Sequence, residues 1–153
     1  PLSLPSIGLE SALADLAAHM AALYGFSCRF EGAAGVADSV SGSTAMHLFR
    51  IAQEAVTNTA RHAGAKHVVI RLRVTGDELV LEIEDDGRGI AAHSDEREGL
   101  GLRSMGYRAS MIGARFAVST RARQGTRVRC ELVLDPAARP GGAAAIAAAR
   151  PAS

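Results

Sequence analysis

Leu9, Leu13, Leu16, Met20 and Leu23 recur at three- and four-residue intervals, the signature of a helix that buries one side, and Gly25 ends the run. The pattern then changes to alternation, with Cys28 and Phe30 inward on a short strand from Ser27 to Glu31. Small residues from Gly32 to Gly42 read as a loop. A second helical pattern carries Leu48, Ile51, Ala52, Ala55, Val56 and Thr59 on its packing side. Ser43 or Thr44 is its expected cap, and it runs to about Ala63 before Gly64 stops it. Three alternating rows follow: Val68, Ile70, Leu72 and Val74; Leu79, Leu81 and Ile83; Val128, Cys130, Leu132 and Leu134. Thr75-Gly76-Asp77 between the first two predicts a hairpin. A helix from about Leu102 to Ile112, burying Leu102, Met105, Ala109 and Ile112, and a short strand through Phe116 and Val118 fill the remaining gap. The elements predict an α+β fold, a two-layer sandwich of about three helices on one mixed, mostly antiparallel sheet of about five strands. From Pro136 onward the chain is almost entirely Ala, Pro, Gly and Arg, which predicts a disordered tail at 136–153.

Composition narrows the function classes. The 153 residues suffice for one domain with a substantial core, and 48% hydrophobic with 22% charged residues is ordinary for a globular protein. A net charge of +1 gives no field for nucleic acid or anionic membrane, and no apolar run reaches spanning length. Cys28 and Cys130 are expected as free buried thiols, with no metal-ligand spacing around them. Acidic residues crowd Asp77 to Asp86 and arginines crowd Arg103 to Arg129. Most of these are expected on solvated faces, with one or two arginines facing a phosphate. The chain begins at Pro1 rather than Met, which fits a piece of something longer.

The candidate chemistry lies in a few places. In Glu84-Asp85-Asp86-Gly87-Arg88-Gly89-Ile90, Asp85 has the parity of Leu79, Leu81 and Ile83, so its carboxylate extends an apolar row toward the core. An inward carboxylate needs a partner, and beside flexible backbone it suits an amino group. Asp86 has the opposite parity and reads as a turn residue. Thr126 begins the row of Val128, Cys130 and Leu132, so antiparallel pairing of the two strands would bring it near Asp85. Gly99-Leu100-Gly101-Leu102 reads as a glycine-rich turn opening a helix, suited to phosphate because bare N–H groups converge there. The segment from Ala91 to Glu98 is long enough to act as a lid. On the second helix, Arg50, Glu54, Asn58 and Arg61 or His62 form a polar stripe, and Thr57-Asn58-Thr59 is poor helix-forming sequence. Glu54 and Asn58, one turn apart, can jointly hold a hard cation.

Taken in order, these motifs resemble the ATP-binding catalytic domain of sensor histidine kinases, closest to the subfamily paired with response regulators that carry helix-turn-helix outputs. The resemblance spans roughly Leu9 to Leu134. Phe49 to Asn58 with His62-Ala63 resembles the asparagine box, Asp85 to Ile90 the first glycine box, Gly99 to Leu102 the second, and Gly125-Thr126 the closing threonine. The resemblance implies the Bergerat α/β sandwich, with ATP and Mg²⁺ as ligands. It implies that Asp85 binds the adenine amino group, directly and through a water shared with Thr126. Asn58 would coordinate magnesium with Glu54 beside it, and Gly87 and Gly89 would let backbone lie against the nucleotide. Gly99, Gly101 and Leu102 would line the phosphates, and Arg61 and His62 would supply nearby positive charge.

No histidine here fits a phosphoacceptor, since His19, His47, His62, His67 and His93 are followed by Met, Leu, Ala, Val and Ser rather than Asp or Glu. The expected organisation is therefore a connector at 1–8 from a missing dimerisation domain, the ATP-binding domain at 9–135, and the tail. Implied partners are the protein's own dimerisation and phosphoacceptor domain, in a homodimer, and a response regulator, with a cytoplasmic location. Leu100 stands where some relatives have histidine, and no phenylalanine-rich box precedes the lid. An anti-sigma-factor-type serine kinase, an ATP hydrolase acting through Glu54, and a non-catalytic nucleotide-binding module are the competing readings.

Overall fold

The chain is described by a computed structural model over residues 8–89, 96–121 and 124–135, and of residues 62–63 and 96–100 by the backbone alone. The predicted connector before Gly8, most of the lid segment and the tail lie outside the described residues. The order is α1 (Leu9–Tyr24), β1 (Ser27–Gly32), α2 (Gly42–Asn58) continued by a π-helical turn (Thr59–Ala63), β2 (His67–Thr75), β3 (Glu78–Asp85), α3 (Glu96–Met111), β4 (Arg115–Thr120) and β5 (Thr126–Val133). One five-stranded sheet has the order β1-β2-β3-β5-β4. β1 and β2 are parallel because α2 carries the chain back between them, whereas the other neighbours are antiparallel.

The three helices cover one side of this sheet, and the core lies between the layers. Leu9, Leu13, Leu16 and Met20 of α1 meet Leu48, Ile51, Ala52 and Val56 of α2, Met105 and Ala109 of α3, and the inward rows of β2, β3 and β5. Leu23, expected on the same apolar stripe, is exposed, because the last turn before the Gly25 cap stands clear of the core. The cap of α2 is Ser41 rather than Ser43 or Thr44. Ser41 keeps extended backbone and its Oγ accepts the Thr44 N–H at 3.1 Å, while Ser43 and Thr44 are already helical.

The other side of the sheet carries charge instead of helices, and it is not simply solvated as the sequence led us to expect. Glu82 and Glu84 are buried under Arg71 and Arg73 of β2, Arg127 and Arg129 of β5, and Arg121 just after β4, which reach them at 2.9–3.9 Å. The aliphatic stems of such arginines shield what lies beneath while their heads stay wet. Burial opposes the charge on Glu84. The hydrogen bonds with Glu82 and Arg127 and the charges of Arg127 and Arg71 prevail and hold its carboxyl below the usual carboxylate range.

Candidate functional site

The inward face of β3 ends in Asp85, which continues the row of Leu79, Leu81 and Ile83 and is only 5% exposed. A carboxylate so placed is costly unless hydrogen-bonded. The Thr59 hydroxyl donates to Oδ2 at 3.0 Å and the Gly87 N–H donates to Oδ1 at 2.8 Å. Each oxygen thus has one protein donor and keeps acceptor capacity for a ligand.

The loop after Asp85 is held against the β4–β5 turn. Arg121 donates from Nη1 to the Asp85 carbonyl at 3.0 Å, and its own N–H donates to the Gly125 carbonyl at 3.0 Å. Gly125, at φ +105°, lies so close to the Asp85 carbonyl that any Cβ would overlap it. Gly89 packs on the Gly125 carbonyl and the Thr120 methyl. β3 and β5 are antiparallel neighbours, and carrying their register one residue beyond Glu84 and Arg127 sets Thr126 across from Asp85.

A second group forms where α2 and α3 meet. Glu54 and Asn58 are half-buried and one helical turn apart. A Cβ on Gly101 would stand 2.7 Å from Glu54 Oε1, 2.9 Å from Asn58 Nδ2 and 3.3 Å from Asn58 Oδ1. The helix backbone at Gly101 therefore rests directly on the ends of these two side chains, and a side chain there would displace them. The two groups are joined through α2: Asn58 points to α3, while its neighbour Thr59, one turn on from Ala55, points to Asp85.

The glycine-rich turn predicted at Gly99 to Leu102 is helical backbone, because α3 begins at Glu96 rather than Leu102. Glu96-Arg97-Glu98 are good helix formers and carry the helix through both glycines. A helix starting there leaves its first four N–H groups, through Gly99, without intrahelical partners; Gly101 and Leu102 follow in the next turn. Arg61 is exposed in the π-helical turn, and the His62 side chain lies outside the described residues. Thr59 and Arg121 are the site residues that the sequence reading missed. Thr59 was legible only as part of an apolar row, although a hydroxyl in that row was a signal. An open groove lined by Glu31, Val36, Leu72 and Val74 lies at the hairpin end of the sheet, away from Asp85, and shares no residue with either group.

The donor set fits an adenine nucleotide and a hard cation. Asp85 offers a buried acceptor for an exocyclic amino group, while Glu54 and Asn58 bring side-chain oxygens to one place. Among the described residues no three His, Cys, Asp or Glu come together, so a cation here would take its remaining ligands from phosphate and water.

Residues 43–136 match the family described as histidine kinase-, DNA gyrase B-, and HSP90-like ATPase. The sensor protein VraS of Staphylococcus aureus is 38% identical over 89 residues, covering 58% of this chain and 26% of its own length. The chain thus spans about a quarter of the curated relatives it matches. Among solved structures, the histidine kinase domain of the Erythrobacter litoralis EL346 blue-light activated histidine kinase superposes with a TM-score of 0.65 at 25% identity, covering 86% of this chain and 68% of that one. The ATP-binding domain of PrrB from Mycobacterium tuberculosis gives a TM-score of 0.62 over 83% of this chain and 94% of that one; at 17% identity it speaks for the fold alone.

Proposed function

The chain belongs to the family of histidine kinase-, DNA gyrase B- and HSP90-like ATPases, and from that premise we propose that it is the catalytic ATP-binding unit of a two-component sensor kinase. The observation that carries this reading is the inward carboxylate of Asp85, held by Thr59 and Gly87 at the end of β3, beside the Glu54–Asn58 pair. Asp85 accepts the adenine amino group, with Thr126 across from it. Gly87 and Gly89 let the backbone lie against the base. Asn58, with Glu54 beside it, holds a magnesium ion, which neutralises phosphate charge when bound. The start of α3, from Glu96 through Gly99, offers N–H groups to the phosphates, and Gly101 and Leu102 line them. Arg61 and His62 add positive charge near them. Phosphoryl transfer of this kind needs mainly positioning and charge neutralisation, which is what these groups provide.

The acceptor is a histidine on a separate dimerisation domain of the same protein, and a response regulator receives the phosphoryl group next. None of the five histidines here is followed by Asp or Glu, which supports an acceptor outside this chain. Among the described residues no helix is long and apolar enough to cross a membrane. The proposed place of action is the cytoplasm, either free or as the inner portion of a membrane-anchored sensor. The test uses the full-length protein that contains this chain, incubated with γ-labelled ATP and magnesium. Label in an acid-labile, base-stable linkage is the expected result. An acid-stable linkage on a protein substrate would favour the serine-kinase reading instead.

A further inference from the structure

We propose that Thr59 is a positioning residue that aims the Asp85 carboxylate and so sets the preference of the site for adenine over other purines. The inference rests on the nucleotide reading above and deepens it. A threonine inside a helix ordinarily returns its hydroxyl proton to the carbonyl four residues back. Here that carbonyl, on Ala55, lies 3.1 Å from the hydroxyl and also accepts the Thr59 backbone N–H. The carboxylate oxygen of Asp85 lies 3.0 Å away. A hydroxyl has one proton, and the carboxylate is the stronger acceptor. The proton therefore goes to Oδ2.

Two donors from different directions fix the carboxylate in its plane. Gly87 N–H holds Oδ1 from the following loop, and Thr59 holds Oδ2 from the helix layer. Both Thr59 and Asp85 are 5% exposed, so water does not replace either donor freely. With its rotation stopped, the carboxylate presents acceptor lone pairs in one direction. A purine with a 6-amino group satisfies them, whereas a 6-oxo purine brings an acceptor against an acceptor. Without Thr59 the Gly87 contact alone leaves Oδ2 free to swing, and the discrimination falls.

The test compares Thr59→Val, which keeps the shape and removes the hydroxyl, with Thr59→Ser, which keeps the hydroxyl. Calorimetry measures the affinity of each for Mg-ADP and for Mg-IDP, whose base carries a 6-oxo group. Wild type is expected to favour ADP. Thr59→Val is expected to lose about tenfold in ADP affinity, the scale of one hydrogen bond to a charged group. It should also narrow the ADP-to-IDP ratio, and Thr59→Ser should restore both. Equal weakening of ADP and IDP, or an unchanged ratio in Thr59→Val, would overturn the inference and leave Thr59 as helix packing. Failure of wild type to bind ADP at all would instead remove the nucleotide reading beneath it. Should Thr59→Val fail to fold, the ratio measured for Thr59→Ala decides in the same way.

Discussion

Asp86 turns its carboxylate away from the helix layer, toward the start of β2. Oδ1 accepts the N–H groups of Lys66 and His67 at 2.8 and 2.9 Å, and Oδ2 meets the His67 ring Nδ1 at 2.8 Å. Burial alone would raise its pKa, but the donors of His67 and Lys66 outweigh it and hold the carboxyl down to about 2. A carboxyl depressed in the folded state adds stability that is complete above the ordinary aspartate value of about 4 and drains away as pH falls toward 2. The side chain is 35% exposed, so the hydrogen bonds count for more than the charge. Asp86→Ala is expected to lower Tm by roughly 3–6 °C at neutral pH, the scale of a net loss of about 1 kcal/mol. In circular-dichroism melts the gap to wild type should narrow between pH 4 and pH 2; a constant gap would contradict the assignment. Strand parity separated Asp85 from Asp86 in the sequence, because alternation is a geometric property of the strand itself. The partner of Asp85 was not legible, since Thr59 reaches it across 26 residues of chain.

At the scale of elements, the approach of α2 to α3 sets Gly101 against the ends of Glu54 and Asn58. Helix propensity alone predicts that Gly101→Ala stabilises α3 by up to about 1 kcal/mol. The added Cβ would come within 3 Å of Glu54 Oε1 and Asn58 Nδ2, the far ends of two side chains, which must shift to admit it and offset part of that gain. We expect Gly101→Ala to leave Tm within a few degrees of wild type and to weaken magnesium-dependent nucleotide binding by displacing the same two side chains. Unchanged binding would show that Glu54 and Asn58 are not displaced or do not serve the nucleotide. The existence of all three described helices was legible from apolar spacing. The start of α3 was not, because Gly99 and Gly101 also suit a turn, and the approach of Gly101 to the neighbouring helix is not visible in sequence. The cap of α2 was misplaced by two or three residues for a similar reason: Ser41, Ser43 and Thr44 are all good caps in isolation, and backbone geometry chose the first.

At the scale of the molecule, one sheet separates two environments. Its inner face meets the helices through aliphatic side chains and ends in Asp85, while its outer face carries glutamates and arginines from every strand. Arg29, Arg71, Glu82, Arg127, Glu131 and Arg115 form ion pairs with residues of their own or neighbouring strands. The acidic and basic runs were plain in the sequence, yet their interlocking was not, because it depends on the order β1-β2-β3-β5-β4 and on register. That same order places β5 beside β3, and so brings the β4–β5 turn, with Arg121, Gly125 and Thr126, against the loop of Asp85. The site is thus a product of topology, assembled from α2, the end of β3, the start of α3 and the start of β5.

The most direct measurement of this account is the calorimetric affinity of the chain for Mg-ADP with and without the Asp85 carboxylate. Wild type is expected to bind, and Asp85→Asn to lose at least about a hundredfold in affinity, roughly 2.7 kcal/mol, while melting within a few degrees of wild type. Undiminished binding by a folded Asp85→Asn would contradict the assignment of adenine to the inner end of β3.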